Sequence, residues 1–281
     1  LREYQDILDS TGFDDGEEPE DDRIGYSVEE LVSANFGTDN LVRLAPLSLN
    51  RRLDGGVKPG HHVILFARPE MGKTMAVIEM MAGFVAQDLT VLYVGNEDPV
   101  ADINMRIVNR LTGMTKLEVI NKPKEADKIA RTAGYENIIL HSATPGTVRE
   151  IRGLIEKYKP EVLILDQLRN VDMKQDNYVL SLENAAKAAR QFAKGHDLVC
   201  VSVTQAGDSA AGKAVLDMGD VDFSNTGIPS QADLMIGLGA NDQHAKNGEI
   251  VYSLTKNKIS GRHEFFACQL EPHLSKINPI D

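Results

Sequence analysis

The chain has 281 residues, 42% of them apolar, a formal net charge of −12, two cysteines and no tryptophan. That size suits one large domain with appendages. No apolar run approaches the roughly twenty residues of a bilayer span and no charged-then-apolar leader precedes a cleavage site, so no membrane role is expected and the chain reads as cytoplasmic, or in the host cytoplasm if viral.

Leu1, Tyr4, Ile7 and Leu8 recur at helical spacing, either as a terminal helix docked on its own chain or as an arm packing on a neighbouring subunit. The acidic block from Asp14 to Asp22 repels itself and has little to bury. Residues 1–22 are therefore expected to form an N-terminal arm and acidic linker, and 23–281 one domain. The first residue is Leu1 rather than methionine, which leaves room for an upstream domain. Ser27 followed by Glu30 looks like a capped helix start, and Leu53 to Gly60 is turn-rich.

Beyond that turn the pattern alternates. Strand-like runs are expected at 63–67, 90–95, 138–141, 162–166, 198–204, 234–238, 250–255 and 265–270. Helical stretches such as 101–111, 147–157 and 180–194 separate the first five. Apolar strands alternating with helices imply right-handed crossovers and an α/β fold with a mostly parallel central sheet flanked by helices. The last strands follow too closely for crossovers and are expected as antiparallel additions at the C-terminal end. Cys200 and Cys268 lie in strand-like runs with no metal-ligand spacing, as buried free thiols do.

The chemistry concentrates in Ala67-Arg68-Pro69-Glu70-Met71-Gly72-Lys73-Thr74, which follows the first of these strands and opens a long apolar helix, the layout of a phosphate-binding loop. Such a loop points backbone N–H groups at phosphate oxygens, reaches the β and γ phosphates with a lysine (Lys73) and ligates magnesium with a hydroxyl (Thr74). The helix dipole favours the phosphates. The general pattern opens with glycine where this chain has Ala67. The implied ligands are ATP, or another nucleoside triphosphate, and Mg2+.

Asp166 ends an apolar strand, where a triphosphatase keeps the carboxylate on the magnesium side. Glu97, with Asp98 in reserve, ends the strand after the loop's helix and is the candidate general base. Gln205 ends a further strand with an amide able to hydrogen-bond a γ-phosphate or the attacking water. Lys256, Lys258 and Arg262 cluster after a late strand, where one cation could reach a neighbour's triphosphate. Two long polar connections, 168–178 and 206–230, carry Arg169, Lys174 and Lys213; lining a channel in a ring, they could track the backbone of single-stranded DNA despite the acidic exterior. Tyr178 and Phe223 are their only candidates for base stacking, so base-specific reading is not expected.

Together these segments resemble the RecA-like P-loop motor domain of DnaB-type replicative helicases, including bacteriophage relatives. The family's phosphate loop also starts with alanine and carries arginine-proline and methionine-glycine-lysine-threonine, and Leu53 to Gly60 is similar to its glycine-rich lead. The resemblance covers about residues 47 to 270 and assigns Lys73 and Thr74 to phosphate and magnesium, Glu97 to the catalytic carboxylate, Asp166 to the magnesium side and Gln205 to phosphate sensing. The family's arginine finger falls on Lys258, a point charge in place of a planar fork, which keeps Arg262 open for that role. In the segment before Ile228, Phe223 and Ser224 replace the family's arginine and glutamate. The resemblance implies an ATP-driven DNA helicase translocating on single-stranded DNA as a homo-oligomeric, hexameric ring, with primase or a helicase loader as partners. Two other classes stay open: a RecA-like recombination or annealing ATPase forming filaments on DNA, and a nucleotide-dependent interaction switch.

Overall fold

A computed structural model of the chain describes residues 40–95, 97–143, 146–173, 177–222 and 227–280. The expected terminal arm, acidic linker and capped helix at Ser27, as well as Lys174, Phe223 and Ser224, lie outside the described residues.

Strand β1 (His62–Ala67) is buried along its whole length because five of its six side chains are apolar and both faces are covered. Val63 and Leu65 enter one apolar cluster, while Ile64 and Phe66 enter the other, as the two-residue period of a strand requires. The strands that follow are β2 (Val91–Gly95), β3 (Ile138–Ser142), β4 (Gly146–Thr147), β5 (Val162–Asp166), β6 (Val171–Asp172), β7 (Val199–Gln205), β8 (Leu234–Gly239), β9 (Glu249–Asn257), β10 (Phe265–Glu271) and β11 (Lys276–Pro279). Among the described residues nine of them form one sheet of order β11-β10-β9-β8-β1-β7-β5-β2-β3, while β4 and β6 make a separate pair. Pairing is parallel from β8 across β1, β7, β5 and β2 to β3. It turns antiparallel at β8–β9, β9–β10 and β10–β11. The expected sheet and its antiparallel additions are thus observed.

Helix α1 (Ser48–Arg52) precedes β1, and α2 (Lys73–Val85) follows it. Nearly all of α2 is buried, as its almost continuous apolar sequence demands. With α3 (Val100–Thr112) it fills one face of the sheet. Glu79 of α2 tolerates burial because Arg110 grips it with two bonds of 2.6 and 2.7 Å and the Ile277 amide donates to it at 3.1 Å. Two short helices come next, α4 (Lys116–Asn121) and α5 (Pro123–Thr132). The other face is covered by α6 (Val148–Tyr158), through Ile151 and Ile155, and by α7 (Tyr178–Gly195), whose Ala185, Ala186, Ala188 and Ala189 let it lie close to the strands.

The expected strands and long helices agree with the observed ones to within two residues. Helices α4 and α5 were not expected, because they are short, bury only Val119, Ala126 and Ala130 and hold few apolar residues. Thr115 and Glu118 cap α4 reciprocally. Strand β11 and the short pair β4 and β6 were not expected either. The connection after β7 holds more structure than its composition implies: Ala206 bridges Val221, and Asp217 and Asp220 cap a short turn at Met218–Asp220. Both cysteines are buried, and neither is in a disulfide. Among the described residues no helix is long and apolar enough to cross a membrane.

Candidate functional site

The parallel strands β1, β7, β5 and β2 are neighbours, so their C-terminal ends converge: Ala67 pairs with Gln205, and Gly95 with Asp166. In open α/β sheets this is the edge where ligands bind. The phosphate loop leaves β1 there and enters α2 through Gly72, whose φ of 78° is left-handed and suits a residue without Cβ. Glu70 takes a left-handed φ of 63° as well, which fits a loop shaped around a ligand rather than by local preference. The Lys73 ammonium is buried at the mouth of the loop and donates to the Arg68 carbonyl at 3.1 Å. Burial lowers its pKa, while Glu97 and then Asp166 oppose the shift and Arg169 adds to it.

A cleft of about 690 Å³ opens over this loop, lined by residues 69–75 together with Glu97, Asp98, Arg106 and Gln205. That volume is of the size small-molecule and cofactor sites have. Asp166 lies beneath, 4% exposed, and its Oδ2 accepts from the Tyr93 phenol at 3.0 Å. Burial raises the Asp166 pKa to about 6; Tyr93 opposes that rise, Glu97 and Asp98 reinforce it, and Lys73 opposes it. The Tyr93 phenol, itself buried and facing that carboxylate, is raised far above its ordinary value and stays a donor at any working pH. Glu97 accepts from Gln167 Nε2.

Oxygen donors from Thr74 and Asp166 suit a hard divalent cation that keeps waters and takes its remaining ligands from phosphates. Among the described residues no group of three or more acidic, histidine or cysteine side chains forms a metal cage by itself.

Of the residues singled out in the sequence, Lys73, Thr74, Glu97 and Gln205 line this one cleft, and Asp166 is near enough to Lys73 and Glu97 for both to bear on its own ionisation. Arg68 turns outward to the exposed Asp208 at 3.1 Å. Arg169, in the turn after β5, bears on Lys73. Lys213 is held by Asp220 at 2.7 Å and Asp217 at 3.8 Å, in a loop whose backbone lies against Gly239 at the end of β8.

Lys258 and Arg262 lie elsewhere. β1 pairs Ala67 with Leu238 and Val63 with Leu234, while the antiparallel β9 pairs Leu238 with Tyr252 and Leu234 with Asn257. Asn257 is therefore level with Val63, about 13 Å of strand below Ala67, and the turn carrying both cations extends beyond it. Lys256 turns back to the Pro229 carbonyl. Lys258 is exposed, whereas Arg262 pairs with Asp54 at 3.1 Å and donates to the Arg51 carbonyl at 2.9 Å.

Tyr93, Gln167 and Arg106 were missed by sequence reasoning. Tyr93 reads as a core aromatic, Arg106 as a solvated helix residue, and only the adjacency of Gln167 to Asp166 was a usable signal. A larger groove of about 1030 Å³ lies between residues 43–51, the C-terminal end of α2 and β11. It contains none of the phosphate-loop residues, and at least three of its charged residues, Glu79, Arg110 and Arg131, are already paired.

Residues 47–247 match the DnaB-like helicase C-terminal domain family. The chain is 23% identical over 240 residues to the replicative DNA helicase DnaB of Buchnera aphidicola, covering 79% of this chain and 51% of that protein. It is 23% identical over 159 residues to the DNA repair protein RadA of Haemophilus influenzae, covering 55% of this chain and 30% of that protein. The chain thus spans about half the length, or less, of these curated relatives. Among solved structures, an ATPase domain superposes with a TM-score of 0.76 at 16% identity, covering 92% of this chain and all of that one. A DnaB-like replicative helicase studied with its primase interactions gives 0.75 at 16% identity, covering 100% of this chain and 71% of that one. These likenesses bear out the expected RecA-like fold.

Proposed function

We propose that this chain, which belongs to the DnaB-like helicase C-terminal domain family, is an Mg2+-dependent ATPase motor working between the subunits of a hexameric ring and travelling on single-stranded DNA. The observation that carries this reading is the convergence of Lys73, Thr74, Glu97 and Gln205 around one cleft, with the Asp166 carboxylate beneath it.

Backbone N–H groups of residues 70–74 and the N-terminus of α2 receive the phosphates, and Lys73 leaves the Arg68 carbonyl to meet the β and γ oxygens. Thr74 and Asp166 would hold the cation, which when bound would spread the negative charge of the triphosphate. Glu97 takes the proton of the attacking water, and Gln205 hydrogen-bonds the γ-phosphate or that water without adding charge. The buried Asp166 carboxylate strengthens this arrangement once the cation is present, since water competes little for it.

Lys258 serves a neighbour's site. Its turn is on the far edge of its own sheet, out of reach of its own phosphate loop, and Arg262 is committed within its own chain. Arg169, Lys174 and Lys213 are the candidate DNA contacts; Lys213 would exchange Asp220 and Asp217 for a phosphate. A primase or loader as partner and a cytoplasmic location accord with family membership. The filament-forming and switch alternatives have less support, because the match to a DnaB helicase covers more of this chain than the match to RadA.

The test is hydrolysis by the full chain with and without single-stranded DNA, alongside strand displacement on a forked duplex. DNA-stimulated hydrolysis with displacement is expected, and Lys73→Ala should abolish both. Stimulation without displacement would favour the filament reading; no stimulation would favour the switch.

A further inference from the structure

Two hydrogen bonds cross between β2 and β5 in opposite senses. Tyr93 belongs to β2, the strand that leads to Glu97, yet its phenol donates to Asp166 of β5 at 3.0 Å. Gln167 follows directly on β5, the strand that ends in Asp166, yet its Nε2 donates to Glu97. Each carboxylate is thus held by a side chain from the other's strand. Tyr93, Gln167 and Asp166 are all nearly inaccessible, so little water competes for the bonds they make.

The backbone is fitted to this arrangement. Tyr93 stands opposite Ile164, while Asp166 stands opposite Gly95, so the phenol must lean forward along its own strand. It does so over Gly95: a Cβ there would lie 2.4 Å from Tyr93 Cε1 and 2.9 Å from its hydroxyl. Packing alone would be served by phenylalanine, since the hydroxyl adds no apolar contact and its burial is favourable only with a partner.

We propose that Tyr93 and Gln167 form a reciprocal brace of positioning residues: Tyr93 fixes the rotation of Asp166 toward the divalent cation, and Gln167 fixes Glu97 toward the attacking water. This rests on the nucleotide reading above. Outer partners of this kind orient ligating carboxylates, and their loss typically costs about 10- to 100-fold in metal affinity or activity. The two halves act on different quantities, which a purely structural role would not separate.

The experiment uses the full chain and its near-isosteric variants Tyr93→Phe and Gln167→Met, with Gln167→Glu as a second probe that keeps the shape and replaces the donor with a like charge. Mn2+ uptake is followed by electron paramagnetic resonance with a non-hydrolysable ATP analogue, metal-free nucleotide binding by fluorescence, and kcat at saturating metal by phosphate release. Tyr93→Phe should raise the Mn2+ dissociation constant about tenfold and leave metal-free nucleotide binding unchanged. Gln167→Met and Gln167→Glu should lower kcat about tenfold or more with Mn2+ affinity unchanged. Equal Mn2+ affinity in wild type and Tyr93→Phe, or unchanged kcat in both Gln167 variants, overturns the brace alone. If the wild-type protein takes up no Mn2+ with the nucleotide analogue, the nucleotide reading falls and the brace with it.

Discussion

At the C-terminal edge of the parallel strands Asp166 and Lys73 are buried against their ordinary ionisation beside an open cleft, whereas at the N-terminal edge the buried His62 and Asp233 have bonding partners within the fold. Asp166 is raised to about 6 and Lys73 is lowered, in both cases chiefly by burial. At the other edge the wholly buried His62 bonds to the Gln231 carbonyl at 2.9 Å and Ser202 Oγ at 2.8 Å. Asp233 accepts from the His62 amide at 3.1 Å and pairs with Arg190 at 3.1 Å. One edge keeps charges poised for a ligand and the other closes the sheet. Lys258 and the cleft sit on opposite edges, which suits the proposed site completed by a second copy.

The comparison breaks most visibly at Lys258. Lys258→Ala should lower hydrolysis on the order of 10³-fold, the low end for a cation supplied in trans because lysine gives a point charge. Mixing it with inactive Lys73→Ala chains should restore part of the rate, because some interfaces then combine an intact loop with an intact Lys258. Steady-state hydrolysis against mixing ratio reads this out, and no recovery at any ratio would put both functions on one chain.

Acid probes the N-terminal edge. Burial lowers the His62 pKa from 6.5 to about 4, so the folded protein keeps it neutral while the unfolded chain takes up the proton first. Stability should therefore fall as pH drops from about 6.5 to about 4, by about 3 kcal/mol from this group. Urea unfolding of wild type and His62→Phe over that range isolates it, since the variant lacks the titration.

Asp166 has the opposite sign. Its folded pKa lies above the 3.8 of a free carboxyl, so the folded state binds a proton more readily and its charge opposes folding above about pH 6. Asp166→Asn should stabilise the metal-free protein by about 2 kcal/mol at pH 7, the full effect of the shift being reduced by a weaker bond from Tyr93. The gain should vanish toward pH 4, and hydrolysis should be lost at every pH. A destabilised variant would remove the contrast between the edges.

The smallest effect belongs to Arg262. Its pair with Asp54 is about half exposed on both sides, so Arg262→Ala should cost about 0.5 kcal/mol in urea unfolding. Hydrolysis should change far less than in Lys258→Ala. A loss as large as that of Lys258→Ala would transfer the trans role to Arg262.

Much of the cleft was legible because its signals are local. The phosphate loop is a contiguous run between a strand and a helix, and Asp166, Glu97 and Gln205 each close a strand that apolar composition announces. Tyr93 and Gln167 were not legible, since their partners depend on β5 lying beside β2 although helices α3 to α6 and β3 intervene between them in the chain. The position of Lys258 escaped for a related reason. The short connections announce that β9 runs antiparallel, but the edge its turn reaches depends on β9 pairing with β8 and on β8 lying beside β1, which no local pattern encodes.

Residue spacing and backbone chemistry within a few positions are enough to set the alternation of elements, the phosphate loop and the carboxylates at strand ends, so the amino-acid order alone carries them. Which strands become neighbours, how Asp166 and Glu97 are held across them and on which edge each cation emerges are settled at the level of the assembled fold. Those follow from burying both faces of one sheet at once, a condition satisfied by the whole chain and by no segment of it.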